Sequence, residues 1–191
     1  MNLELNDFQK FREFIKDFII NDEDLFKTIF YSYSSPTDLD LPDDPYSIFP
    51  EDNPNLTDEL TNEHGVVLFR RKYDQVQSRE GITILINYYT APLGNDPFLD
   101  SLFITFRLIL KGTNVQTLSD GSSRHGVIAR GIINNFHMAK VNNLDYVQKI
   151  SYKDLSLNEE NSGSLLTFSC ASFSHKQNEN KNYVNGMRKK W

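Results

Sequence analysis

The sequence predicts an α+β fold: a mostly antiparallel sheet with helices on one face, plus a long Pro-rich arm. Three observations carry this. Apolar residues recur at helical spacing before residue 31, recur with a period of two after residue 65, and return to helical spacing at residue 123. Five prolines between 34 and 64 separate the first two regimes. A length of 191 residues suits one domain spanning 1–191.

Over residues 7–20, Phe8, Phe11, Ile15, Phe18 and Ile19 recur at helical spacing, and Lys10, Glu13, Lys16 and Asp17 fill the other face. Asn6 or Asp7 serves as the expected N-cap. Asp22, Glu23 and Asp24 then precede Leu25, Phe26, Ile29 and Phe30. Acids in a first turn complement the helix dipole, so a short second helix is expected over about 22–31, ended by YSYSSP. Pro36, Pro42, Pro45, Pro50 and Pro54 preclude a regular helix or a central strand across 34–64. The same stretch holds Leu39, Leu41, Tyr46, Ile48, Phe49, Leu56 and Leu60. It reads as an extended acidic arm that packs on something, and the expectation is that a second chain orders it.

Segments 66–73 and 82–90 read as strands around the polar turn DQVQSREG, with Ile82, Ile84 and Ile86 on one face. APLGNDP breaks the chain before 102–110, LFITFRLIL, the most apolar strand and therefore the centre of the sheet. Gly112, Asn114 and Asp120-Gly121 punctuate a loop. Ser122 or Ser123 caps a helix through about 139 that carries Val127, Ile128, Ile132, Phe136 and Met138. Gly126 and Gly131 weaken this helix intrinsically, which implies close packing against a neighbouring surface. Segments 146–152 and 164–173 close the sheet.

Charge is divided along the chain. Residues 1–65 hold 16 acids and 4 bases, while the remainder holds 10 acids and 16 bases. Segment 37–63 has nine acids and no Lys or Arg, and the basic C-terminal tail 176–191 has five bases and one acid. The plain reading is a solvated acidic loop and a basic tail. The sharper one is self-complementarity between subunits, since opposite charge steers association and register. The expected interface residues are Asp38, Asp40, Asp43, Asp44, Ile48, Phe49, Glu51 and Asp52 on one side. On the other are Arg70, Arg71 and Lys72, or the tail's Arg188, Lys189 and Lys190. The tail lacks the dense basic stripe with interleaved aromatics that marks a nucleic-acid surface.

Several classes are excluded or disfavoured. One Cys rules out an intrachain disulfide and a Cys-rich zinc site. No apolar run approaches the ~20 residues of a membrane helix, and MNLELNDFQK has neither the basic nor the apolar region of a signal peptide. A soluble intracellular domain or a virion part remains. His64, His125, His137 and His175 form no HExxH or HxH pattern, and the Asp residues of the arm lack the glycine and distal glutamate of a calcium loop. No catalytic residue, cofactor or metal is expected. DGSSRHG is not a nucleophile elbow, and helix capping explains Ser122 and Ser123 without catalysis. Cys170 reads as a small apolar residue in a strand.

In its order of elements the chain resembles the neck and tail-terminator (head–tail joining) proteins of tailed bacteriophages. The resemblance covers about residues 5–175. It rests on the Phe-rich first helix, DLFKTIFY running into a Pro/Asp loop, DDPYSIFP, the strand LFITFRLILK, and DGSSRHGVIARGII. The last is similar to a G-x-x-R-x-x-x-I-A stretch that precedes a helix in such proteins. The long acidic arm is the departure from a minimal terminator. The resemblance implies a tail-terminator-like α+β fold and a structural virion protein, assembled in the host cytoplasm, without catalytic residues. It implies a homo-oligomeric ring of six or twelve subunits that touches other neck, tail or portal proteins. DNA would be met only through the lumen, and no membrane is implied. The alternative is a small intracellular binding or inhibitor protein that acts on a host factor through its acidic segment. An enzyme ranks third.

Overall fold

The computed structural model of the protein describes residues 5–49, 64–68, 81–93, 96–140, 146–156 and 161–173. Helix α1 spans Leu5–Asn21 and α2 spans Glu23–Phe30. Because α1 already runs at Leu5, neither Asn6 nor Asp7 is its N-cap. Asp22 breaks the two helices apart. Its backbone is extended, and its carboxylate accepts the Leu25 N–H at 3.1 Å, which starts α2. Glu23 and Asp24 occupy the first turn, and Lys27 reaches back to Glu23 at 2.6 Å. The described part of the proline-rich stretch forms two short 3-10 turns, Pro36–Asp38 and Pro45–Ile48, each opened by a proline.

Strands β1 (His64–Leu68), β2 (Gly81–Leu93), β3 (Asp96–Lys111), β4 (Gln148–Ser156) and β5 (Asn161–Phe173) form one sheet in the order β1-β2-β3-β5-β4. The apolar strand β3 lies at its centre, as its composition requires, and the fold is α+β. The pairs β2–β3, β3–β5 and β4–β5 are antiparallel. The pair β1–β2 is parallel, with His64 opposite Ile82 and Leu68 opposite Ile86. The two segments expected around a polar turn are therefore not joined as a hairpin. Parallel neighbours need a crossover of about a dozen residues or more, and the chain places residues 69–80 between them. The predicted extension of β1 through residue 73 falls outside the described residues.

After β3 the chain makes a short helical turn, α3 (Thr113–Gln116), and then α4 (Arg124–Phe136). Gly112 and Gly121 adopt φ of 103° and 80°, backbone that a Cβ disfavours. Helix α4 stops at Phe136 rather than 139. Met138 has φ of 65°, and its N–H turns to the Val147 carbonyl at 2.7 Å. Met138 therefore lies outside the helix and is exposed.

Helices α1, α2 and α4 cover one sheet face. Ile82, Ile84 and Ile86 of β2, Ile104, Phe106 and Leu108 of β3, and Leu166 and Phe168 of β5 are buried beneath them. At the centre, Phe136 of α4 meets Phe168 at 4.9 Å and Phe106 at 5.2 Å, both edge to face, and Phe18 of α1 at 5.7 Å. Each such side chain contributes about 1.5–3 kcal/mol by burial, and the ring geometry adds to it.

Two glycines fix how closely the layers approach. A Cβ on Gly131 of α4 would stand 2.9 Å from Leu25 Cδ1 and 3.4 Å from Leu25 Cβ, so α2 and α4 cross at that point. A Cβ on Gly163 of β5 would overlap the Leu108 carbonyl oxygen, a backbone atom that cannot rotate away. Gly163→Ala and Gly131→Val should each cost about 1–3 kcal/mol, read as a fall in the urea midpoint at unchanged slope. Gly131→Ala should move the midpoint little. The gain of about 1 kcal/mol in helix propensity offsets a displacement that the Leu25 tip can absorb.

Among the described residues no helix is long and apolar enough to cross a membrane.

Candidate functional site

The residues that stand out in the sequence gather into three places: a buried arginine behind the arm, the arm itself, and a polar cluster where α4 meets β4.

Arg124 is the first residue of α4 and is fully buried. Its guanidinium donates to the carbonyls of Thr28 (3.0 Å), Tyr31 (2.6 Å), Ser32 (3.4 Å) and Tyr33. These carbonyls belong to the last turn of α2 and the chain that leaves it, so one side chain closes the helix end and pins the root of the arm. The Ser119 N–H donates to the Ser34 carbonyl at 2.8 Å and extends the same seam. Burial pushes the guanidinium pKa down to about 10. The group therefore stays charged at neutral pH. Because its folded value lies below its usual one, burying the charge opposes folding at neutral pH, and this cost is relieved only as pH rises above about 10. The hydrogen bonds to backbone, not the charge, make Arg124 stabilising.

Every fixed position of the G-x-x-R-x-x-x-I-A pattern has a structural task here. Gly121 supplies the positive φ, Arg124 clamps the α2 terminus, and Ile128 and Ala129 face the core.

The arm is bound to the rest of its own chain at both described ends. Beyond the Arg124 clamp, the Tyr31 hydroxyl donates to the Asp40 carbonyl at 2.6 Å. Ile48 and Phe49, expected at a subunit interface, are instead buried in this chain's core, with the Lys16 ammonium 5.7 Å from the Phe49 ring centre. This corrects the expectation. Tyr46 stays outside, while Ile48 at the end of the 3-10 turn and Phe49 just after it turn inward, Phe49 against Lys16 of α1. Asp38, Asp40, Asp43 and Asp44 are exposed, and Asp44 caps the second 3-10 turn through the Tyr46 N–H at 3.0 Å. Among them Tyr33, Leu41 and Tyr46 are also exposed, Tyr33 by 70%. Glu51, Asp52, Arg70, Arg71, Lys72, Arg188, Lys189 and Lys190 lie outside the described residues.

Hydrogen exchange should reflect this division. The Phe49 N–H, bonded to the Tyr46 carbonyl at 2.9 Å beneath a buried ring, should be protected in the isolated chain. The amides of Asp40, Leu41 and Asp43 should exchange freely there and slow only in an assembly. Equal protection of those three amides in both states would show that nothing docks on the strip.

At the same end of α4, Ser123 is the N-cap and accepts the Gly126 N–H at 3.4 Å. Its hydroxyl lies 2.9 Å from His125 Nδ1 and 3.2 Å from Nε2, and His125 Nε2 is 3.4 Å from Asp154 of β4. Tyr152 donates to Asp154 as well. Partial burial first, and this hydrogen bond second, hold the Tyr152 hydroxyl above its usual pKa, so it remains a donor. The trio has the composition of a hydrolytic triad but not its alignment. A hydroxyl in line with one imidazole nitrogen would lie well beyond hydrogen-bond reach of the other, whereas Ser123 is near both and is already engaged as a cap. The cluster ties α4 to the edge strand. His137 likewise acts structurally, accepting the Lys149 N–H at 3.1 Å. Cys170 is buried and unbridged. Among the described residues no group of three or more His, Cys, Asp or Glu side chains could hold a metal ion.

Sequence reasoning missed the surface of β4. It is the last strand in the sheet order, and residues 148–154 are all exposed. A bulge between Lys149 and Ser151 leaves Ile150 55% exposed. The alternating YVQKISY pattern gave no sign that this strand would be terminal.

Compared with known proteins, the chain matches no family model and no curated sequence.

Proposed function

We propose that this protein is a structural subunit of a homo-oligomeric ring at the neck or tail of a tailed bacteriophage, a tail terminator or head–tail connector. The observation that most supports assembly into a ring is the arm, which is also where the chain departs from a minimal terminator. A segment with only two short 3-10 turns is clamped to its own chain by Arg124 at one end and by Ile48 and Phe49 at the other. Between these anchors it holds four carboxylates and three large apolar side chains outward. Holding such a strip in place costs conformational entropy, and a docking surface gives it a purpose. In the virion, the ring would meet other neck, tail or portal proteins through its two open faces.

Electron microscopy of the purified chain at low ionic strength tests this reading. Closed rings of six or twelve subunits are expected. Particles the size of one or two subunits at all concentrations would favour the alternative, a binding or inhibitor protein that presents the same acidic strip to a host factor.

A further inference from the structure

We propose that the open edge of β4 is the surface that receives the acidic strip, residues 33–46, of a second copy of this chain. The inference rests on the ring reading and names the join within it.

The first argument is exposure. Among the described residues eight large apolar side chains are exposed. Tyr33, Leu41 and Tyr46 lie on the strip. Tyr146, Ile150 and Tyr152 lie on or beside β4, and Met138 is bonded to the chain just before β4, at Val147. Only Tyr89 falls elsewhere. Apolar surface gathered in two places, both polar-rimmed, marks interaction sites rather than scatter. Within one chain both places stay open to solvent.

The second argument is charge. The strip carries Asp38, Asp40, Asp43 and Asp44 and no Lys or Arg. The receiving side carries Lys149 and Lys153 on β4 and Lys140 on the short bridge to Tyr146, all exposed. Its one acid on β4, Asp154, is turned toward His125 and Tyr152. Lysines on an edge strand discourage pairing with a like strand. A β4–β4 contact would set lysine against lysine, while an acidic strip neutralises them, so the charge selects the strip as occupant.

The third argument is backbone. Beyond its pairing with β5, β4 presents a second edge with no strand beside it among the described residues; its start is capped within the chain, where His137 takes the Lys149 N–H, so the edge is open beyond Lys149. Between its two 3-10 turns the strip runs without helix or sheet, with Leu39 and Asp44 both extended. An extended segment can lie along a strand edge, with Pro42 directed away from the ladder. Strip and edge are different surfaces, so the contact is heterologous, and repeating it closes a ring.

Charge exchange tests the join. One variant is Lys149→Glu with Lys153→Glu; the other is Asp38→Lys, Asp40→Lys, Asp43→Lys and Asp44→Lys. All six positions are exposed, and unchanged circular dichroism and thermal midpoints confirm that each variant folds. Each alone sets like charges against each other at every join. The concentration for half-assembly, from native mass spectrometry at low salt, should rise at least tenfold for each. Mixed in equal amounts, the two variants regain complementary joins in alternation, and an even-numbered ring should return with one-to-one composition. Rings that each variant forms alone as readily as the native chain does would overturn this join while leaving the ring reading intact. A wild-type chain that never assembles would overturn the ring reading itself. Should the lysine variant fail to fold, Ile150→Asp alone reads the same edge: assembly must weaken if the strip seats there, and unchanged assembly refutes it.

Discussion

Replacing Arg124 by alanine is expected to destabilise the subunit more than Gly163→Ala or Gly131→Val does. The substitution strands the carbonyls of Thr28, Tyr31, Ser32 and Tyr33 at the α2 terminus and leaves a side-chain-sized void. An unsatisfied buried polar group costs about 1–3 kcal/mol. Partial access of water to three of these carbonyls lowers the sum, so a loss of about 3–5 kcal/mol is expected. That is a large part of the roughly 5–15 kcal/mol typical of a domain, and the thermal midpoint should fall on the order of 10 °C. Arg124→Lys should recover little. A single ammonium is a point donor and cannot span four carbonyls as the guanidinium fork does. The same substitution should loosen residues 31–35 in hydrogen exchange. A midpoint within about 2–3 °C of wild type, roughly 1 kcal/mol for a chain of this length, would show that the clamp is dispensable.

The second large effect concerns assembly rate. Changing Asp38, Asp40, Asp43 and Asp44 together to Asn removes the charge of the strip without altering its size, and all four are exposed. Exposed ion pairs contribute only ~0–1 kcal/mol each, so equilibrium stability of the subunit should hardly move. Electrostatic steering is different, because it raises association rates by roughly 10- to 1000-fold. The variant should assemble at least ten times more slowly at low salt. The wild-type rate should fall as salt rises toward ~0.15 M, where screening acts beyond about 8 Å, and the variant's rate should be nearly flat. Assembly of the Asn variant at the wild-type rate in low salt would mean that the acids are simply solvated. Light scattering after dilution from a dissociating buffer measures both.

The chemistry of the chain shows which parts of the fold were legible in advance. The hydrophobic period is set by burial on one side of a regular element, so α1, α2, α4 and the centres of the strands could be read from the apolar residues; the ends could not, since β2 and β3 run on to Leu93 and back to Asp96, into the APLGNDP segment expected to break the chain. The central place of β3 followed from its apolar run. The helix start at Ser123 was visible because a cap needs a short polar side chain; the stop was not, because Met138 takes a left-handed conformation usually signalled by Gly. Pairing was hidden for a similar reason. Nothing local distinguishes a strand that pairs in parallel from one that pairs in a hairpin, since the choice depends on where the connection goes.

The candidate site was legible in part. Acidity and prolines marked the arm, and the charges of Asp38, Asp40, Asp43 and Asp44 are exposed as expected. Ile48 and Phe49 went to the core because the second 3-10 turn directs them there, a placement no alternation of residues predicts. Arg124 looked like a surface charge beside two serines. Only the fold shows that the carbonyls at the end of α2 converge on it. The Ser123, His125 and Asp154 cluster joins residues far apart in sequence, so its existence and its misalignment both required coordinates.

The central claim is that subunits of this protein build a closed ring, and native mass spectrometry of the intact chain at low ionic strength tests it most directly. The account predicts a dominant species of six or twelve times 22.2 kDa, giving way to single subunits as salt rises. A species of 22.2 kDa at every protein and salt concentration would contradict it.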